Sequence, residues 1–199
     1  IAYGYRDLGA AKQIRAGWAF GFGELEAASF AFNAPRQVTT EVVAEVNQGI
    51  FVWAAAGYDE VPQGRNGNAI RIHRRVDGIG TPPVTTTLSY KGGCQPTGTD
   101  VGVAVTDKPV IVLAYWKDCD TLMVRRSRDL GKTFGPNTVL STRTHAQGLS
   151  IDAHGHTVVV AYTADGTTWV RRSTDDGSTW SSPKQVGSGA TSLRVRYAD

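Results

Sequence analysis

The chain has 199 residues, 41% of them hydrophobic and 20% charged, which excludes an intrinsically disordered segment and leaves room for one large domain or two small ones. Its net charge of +3 is spread along the chain without a polybasic block, which argues against a nucleic-acid partner. No apolar run approaches the ~20 residues that a membrane-spanning helix needs, and 23 glycines among short runs of Val and Thr favour many short strands joined by tight turns.

In chain order, the first 33 residues offer Gly17–Gly23 and Ala27–Phe32 as strands, followed by Gln37 and Val38 after Pro35. The next unit has an apolar run at Ile50–Ala55, a second strand at Ala69–Arg74 and a third after Pro83. Residues Val101–Val105, Val110–Trp116, Thr121–Arg126 and a strand after Pro136 form a complete set of four. That set recurs as Leu149–Ile151, Val158–Thr163, Thr168–Arg172 and a strand after Pro183. Ala114-Tyr115 matches Ala161-Tyr162, and the prolines Pro35, Pro83, Pro136 and Pro183 recur at shifts of 48, 53 and 47. A proline at the start of each fourth strand fits a sheet edge, where its missing N–H costs little. An antiparallel four-stranded unit with a period of roughly 50 residues predicts an all-β chain of propeller blades; a β-sandwich is the alternative. The blades are expected at about 1–40, 41–93, 94–143 and 144–190, with the start of another at 191–199, in one propeller domain or a fragment of one.

Each complete unit carries the same turn after its third strand. The first is Ser127-x-Asp129-x-Gly131-x-Thr133-Phe134 and the second Ser173-x-Asp175-x-Gly177-x-Thr179-Trp180. The pattern resembles the Asp-box of the sialidase-like (BNR-repeat) β-propellers, over residues 41–199, with a degraded version at Val76-Asp77-Gly78. In such a turn the Asp accepts loop N–H bonds, Gly supplies a positive φ and the aromatic ring folds back over the sheet. A structural role is therefore expected for these residues, rather than a catalytic acid at Asp175.

The resemblance implies a ligand cleft at the end of the blades opposite these turns, built from the second-to-third-strand loops and the loops between blades. There Tyr58, Asp59 and Glu60 form the candidate catalytic cluster, and Arg65, Lys91, Arg143 and His145 the candidate ligand-binding set. Cys94 and Cys119 fall at this same end of neighbouring units, so a disulfide and an oxidising, extracellular-type compartment are expected, two free thiols being the alternative. Active sialidases use an arginine triad, a Tyr–Glu pair, an Asp acid/base and an Arg-Ile-Pro motif. The nearest string here is Arg71-Ile72-His73, within a third strand, and no triad can be assigned. His154 and His156 flank a turn at the far end, no metal-ligand spacing stands out, and no cofactor is implied.

The final residues 193–199 align with the first strand of a further blade, and the chain opens at Ile1 rather than Met. About four blades plus one strand are expected where sialidase-type propellers have six, which points to a second chain or the remainder of a propeller as partner. Two functions are carried forward: a secreted sialidase-like protein that binds glycans or hydrolyses them as a glycoside hydrolase, and a non-catalytic scaffold or subunit of a larger extracellular assembly that binds protein or carbohydrate.

Overall fold

The computed structural model describes residues 2–8, 11–19, 25–32, 41–47, 50–61, 65–76, 84–91, 101–118, 120–143, 148–189 and 193–196; within 2–91 its description of side chains is confined to Val52, Ile72 and Thr86. Strands β1 (Ala2–Leu8), β2 (Ala11–Ala19) and β3 (Leu25–Phe32) form a three-stranded sheet. Three four-stranded sheets follow, each antiparallel and in sequence order. They are β4 (Glu41–Asn47), β5 (Ile50–Val61), β6 (Arg65–Val76), β7 (Val84–Lys91); then β8 (Val101–Val105), β9 (Ile111–Asp118), β10 (Thr121–Ser127), β11 (Thr138–Ser141); then β12 (Gly148–His154), β13 (Thr157–Ala164), β14 (Thr167–Ser173), β15 (Lys184–Ser188). The first strands β4, β8 and β12 touch in succession. The sheets are the blades of a β-propeller.

Burial explains why the strands of the β8–β11 sheet read as unbroken apolar runs. Ile111, Leu113 and Tyr115 belong to a core shared with Val52 and Ile72 of the preceding sheet. Val112, Ala114 and Trp116 belong to one shared with Leu149, Ile151, Val158, Val160 and Tyr162 of the following sheet. Both faces are thus dry, and alternation between apolar and polar residues disappears. A two-sheet sandwich would leave one face of each sheet to solvent, so double burial decides for the propeller. The fit is tight where first strands meet: a Cβ on Gly102 would lie 2.7 Å from Cγ2 of Ile151.

The fourth strands occupy sheet edges, with Pro83 and Pro183 immediately before β7 and β15 and Pro136 before β11. The last two sheets carry a register shift between strands three and four, at Leu122/Met123 and again at Thr168/Trp169. The shift leaves Leu140 unpaired between Val139 and Ser141. Its carbonyl instead accepts a 2.6 Å bond from Arg171 Nη1 of the next blade. The bulge therefore frees a backbone acceptor that ties neighbouring blades together.

Three stretches differ from expectation. The first sheet uses Ala2–Leu8 and Ala11–Ala19, where Gly17–Gly23 was expected as the strand before Ala27–Phe32. Residues 57–68 read as a loop, yet Tyr58 pairs with Asn68, Asp59 with Gly67, Glu60 with Asn66 and Val61 with Arg65, so the polar stretch extends the β5–β6 hairpin. Backbone ladder bonds do not need apolar side chains, so a polar stretch can continue the hairpin. Residues 193–196 were expected in a first strand; they form no ladder, and the Val195 N–H donates to Ser150 Oγ of β12 at 3.0 Å. The strand expected at Gln37 and Val38 lies outside the described residues.

Candidate functional site

The twin turns close at one end of the blades. Ser127 Oγ donates to Asp129 at 2.7 Å and accepts the Gly131 N–H at 2.6 Å. Asp129 also accepts the Thr133 N–H at 2.9 Å and its hydroxyl at 2.5 Å. The second turn repeats this: Ser173 Oγ to Asp175 at 2.7 Å, Gly177 N–H to Ser173 at 2.8 Å, and the Thr179 N–H and hydroxyl to Asp175, both at 2.8 Å. Gly131 and Gly177 take φ of 78° and 76°, as a left-handed turn requires. Phe134 and Trp180 fold back onto the two cores.

These carboxylates are spent on the loop. The hydroxyl and N–H of Thr133, with Ser127, hold Asp129 well below the usual carboxylate range. Burial pushes Asp175 up, but the Thr179 and Ser178 N–H groups and the Ser173 and Thr179 hydroxyls outweigh it and hold the group at about 2. Neither suits a general acid near neutral pH.

One arginine in each repeat completes the clasp, and neither was singled out from the sequence. Arg125 Nε donates to the Gly135 carbonyl at 2.8 Å, and Arg171 Nε to the Ser181 carbonyl at 2.7 Å. The repeated Arg-Arg pair before each Ser was the signal for them. At the same end His156 Nδ1 meets Asp176 at 2.9 Å, and the Asp107 N–H reaches the Gly155 carbonyl across the blades at 3.0 Å.

At the opposite end, between the last two sheets, aromatic and basic groups converge. The exposed guanidinium of Arg143 lies 4.0 Å above the centre of the half-buried Trp169 ring. Tyr162 is fully buried beside it and meets Trp116 edge-on at 6.0 Å. Burial pushes the Tyr162 phenol up; the Ser141 hydroxyl and the charges of Arg171 and Arg143 work against that rise. The Trp116 and Trp169 indole N–H groups are buried without a hydrogen-bond acceptor among the described residues. Arg143 is thus the one sequence candidate seen with its surroundings. Trp116, Tyr162 and Trp169 were read as strand residues, because the meeting of two blades leaves no mark in local spacing.

The other candidates are placed by backbone alone. Tyr58, Asp59 and Glu60 lie near the tip of β5 and Arg65 opens β6. Asp59, Gly67 and Lys91 form one cross-strand row through β5, β6 and β7. Arg71, Ile72 and His73 lie in β6, with Ile72 buried. His145, Cys94 and Cys119 lie outside the described residues, so the expected disulfide does too.

No protein-family model matches the sequence, and no curated protein does. Solved structures do match. A fucose-recognising lectin of Aleuria aurantia, a six-bladed β-propeller, matches with TM-score 0.61 at 16% identity, covering 94% of this chain and 56% of the lectin. The same lectin bound to Fucα1-6GlcNAc matches with TM-score 0.55, 16% identity and coverage of 94% and 57%. A Trypanosoma rangeli sialidase is matched more loosely, with TM-score 0.43 and 10% identity over 90% of this chain and 36% of the sialidase. The chain spans a little over half of the lectin it matches, and the likeness at these identities is one of fold, a β-propeller.

Proposed function

We propose that the protein is a glycan-binding β-propeller whose subsite lies between the last two blades at the end opposite the twin turns. The observation that carries this reading is the Arg143–Trp169 stack above buried Tyr162. The guanidinium that covers the indole face offers its N–H groups to the hydroxyls or carboxylate of a sugar, with the indole holding it in place. The lectin fold match supports the reading, since those propellers are described with fucose ligands. The twin turns, with their resemblance to Asp-boxes, add the sialidase-like propellers as relatives. The reading places the protein outside the cell, with Cys94 joined to Cys119, and completes the propeller with further blades from a longer chain or a second one.

Calorimetric titration with fucosylated and sialylated oligosaccharides tests it. Trp169→Ala and Arg143→Ala are each expected to weaken binding at least about 10-fold, the scale of one lost stacking or charge-assisted contact. Unchanged affinity in both variants, with the urea midpoint preserved, overturns this subsite.

A second reading, a sialidase-like glycoside hydrolase, draws on the β5 tip. Alternation along β5 gives Tyr58 and Glu60 one parity and Asp59 the other. Retaining hydrolysis needs an acid/base and a nucleophile about 5 Å apart. Fluorogenic glycosides decide: turnover abolished by Glu60→Gln or Asp59→Asn supports hydrolysis, and no turnover with any substrate leaves the binding scaffold.

A further inference from the structure

A second feature lies at the twin-turn end, away from the glycan subsite. A cavity of about 370 Å³ opens there on the β8–β11 sheet, lined by Arg126, Arg128, Asp129, Thr133, Pro136 and Thr138, among others. Its volume falls in the range of small-ligand pockets.

One donor beside it is left without a partner. Arg126 Nη1 is buried without a hydrogen-bond acceptor, and neither Arg126 nor Arg128 forms an ion pair among the described residues. The nearby carboxylates are committed elsewhere. Asp129, which keeps its charge on the cavity wall, is bonded by Ser127 and Thr133, Asp175 by Ser173 and Thr179, and Asp176 faces His156, so none of the three is hydrogen-bonded to Arg126 or Arg128 among the described residues. Burial and then the Arg128 charge lower the Arg126 pKa, against a smaller opposing pull from Asp175 and Asp176. Arg126 thus keeps a buried guanidinium N–H without an acceptor on the wall of a cavity that Arg128 also lines, and an oxyanion there would supply the acceptor.

A Cβ on Gly177 would sit 3.2 Å from Arg126 Cδ and 3.4 Å from the Val112 methyls, so the second turn closes directly over the Arg126 stem. The homologous position in the last sheet is different: Arg172 is exposed, its Nη2 donates to Thr157 Oγ1 at 3.4 Å, and Thr174 stands where Arg128 does. The arginine pair belongs to one blade, not to the repeat.

We infer that the Arg126–Arg128 cavity binds a tetrahedral oxyanion, sulfate or phosphate, free or carried as a monoester. Two guanidinium forks on one cavity match a dianion with several acceptor oxygens. The inference is independent of the glycan subsite, because the residues of the two sites do not overlap.

The test is calorimetric titration of the whole chain with sodium sulfate, sodium phosphate, N-acetylglucosamine 6-sulfate and glucose 6-phosphate, against sodium chloride at matched ionic strength. Saturable binding is expected for at least one oxyanion, weakened at least about 10-fold in Arg128→Gln, the loss of one charge-assisted fork. Arg126→Gln should do the same, and Arg128, being exposed, keeps the test open if Arg126→Gln fails to fold. The sugar esters separate a free anion from a glycan or metabolite ester. Sulfate also stabilises proteins by exclusion from their surface, so a response that never saturates, or one equal in wild type and Arg128→Gln, overturns the site. Loss of oligosaccharide binding in Trp169→Ala with oxyanion binding intact leaves this inference standing; the converse leaves only the glycan subsite.

Discussion

The β8–β11 and β12–β15 sheets are two copies of one unit, yet the same position meets different fates in each. Leu140 and Val186 are the residues that the register shift leaves unpaired in their sheets. Leu140 is 3% exposed, because the following sheet packs over it and Arg171 bonds its carbonyl. Val186 is 56% exposed, and all five residues of β15 are open. Between these two sheets, burial of the fourth strand goes with the packing of a following sheet. Each repeat supplies half of two interfaces, as nearest-neighbour stability in repeat proteins implies.

The largest effect that would break this contrast is at Leu140. Leu140→Ala removes a buried side chain from the inter-blade core and is expected to cost about 3 kcal/mol, within the range for buried leucines. Val186→Ala at the matching position should change stability by less than about 0.5 kcal/mol. Urea unfolding followed by tryptophan fluorescence measures both; equal costs would mean that the β15 edge is covered as the β11 edge is.

A smaller effect is expected where first strands meet. Gly102→Ala places a methyl 2.7 Å from Ile151 Cγ2, and the overpacking should cost about 1–3 kcal/mol. Ile151→Val shortens the other branch of that side chain, leaving Cγ2 in place, whereas Ile151→Ala removes the opposing methyl. Gly102→Ala should therefore be less costly in an Ile151→Ala background than alone. A strictly additive double mutant would show that the two strands do not approach as described.

The repeat was legible because the turn residues are fixed by local chemistry: Ser127, Asp129 and Thr133 bond one another, so the sequence must spell them again at Ser173, Asp175 and Thr179. The apolar strand at Val110–Trp116 was legible as a strand, but not its two faces, since dry surfaces on both sides erase alternation. The β5–β6 extension was misread as a loop because its residues pair through their backbones while their side chains are polar. Within the candidate glycan site, Arg143 could be found as a basic residue in a loop between blades. Trp169 could not, because it becomes part of a site only through the inter-blade packing that brings Arg143 over it.

The smallest effect separates the two turns themselves. Both carboxylates are held below their ordinary range, Asp129 by Thr133 and Ser127 with little burial, and Asp175 at about 2 against the opposing push of burial. A carboxylate depressed on folding stabilises the native state above its unfolded pKa of about 3.9, and that contribution is lost as pH falls toward the folded value. Asp175 should therefore release its stabilisation between about pH 4 and its folded pKa, while Asp129 holds its own to lower pH. Asp175→Asn keeps one acceptor oxygen but no charge, so it should be less stable than wild type at pH 7, with the gap closing as pH falls from about 4 to 2. Asp129→Asn should retain more of its gap at the lower limit. Urea midpoints measured at intervals from pH 7 to pH 2 give both curves. A gap that stays constant for Asp175→Asn would mean that its turn is held by the neutral hydrogen bonds of Ser173 and Thr179 rather than by charge, and that the two copies of the clasp differ in kind.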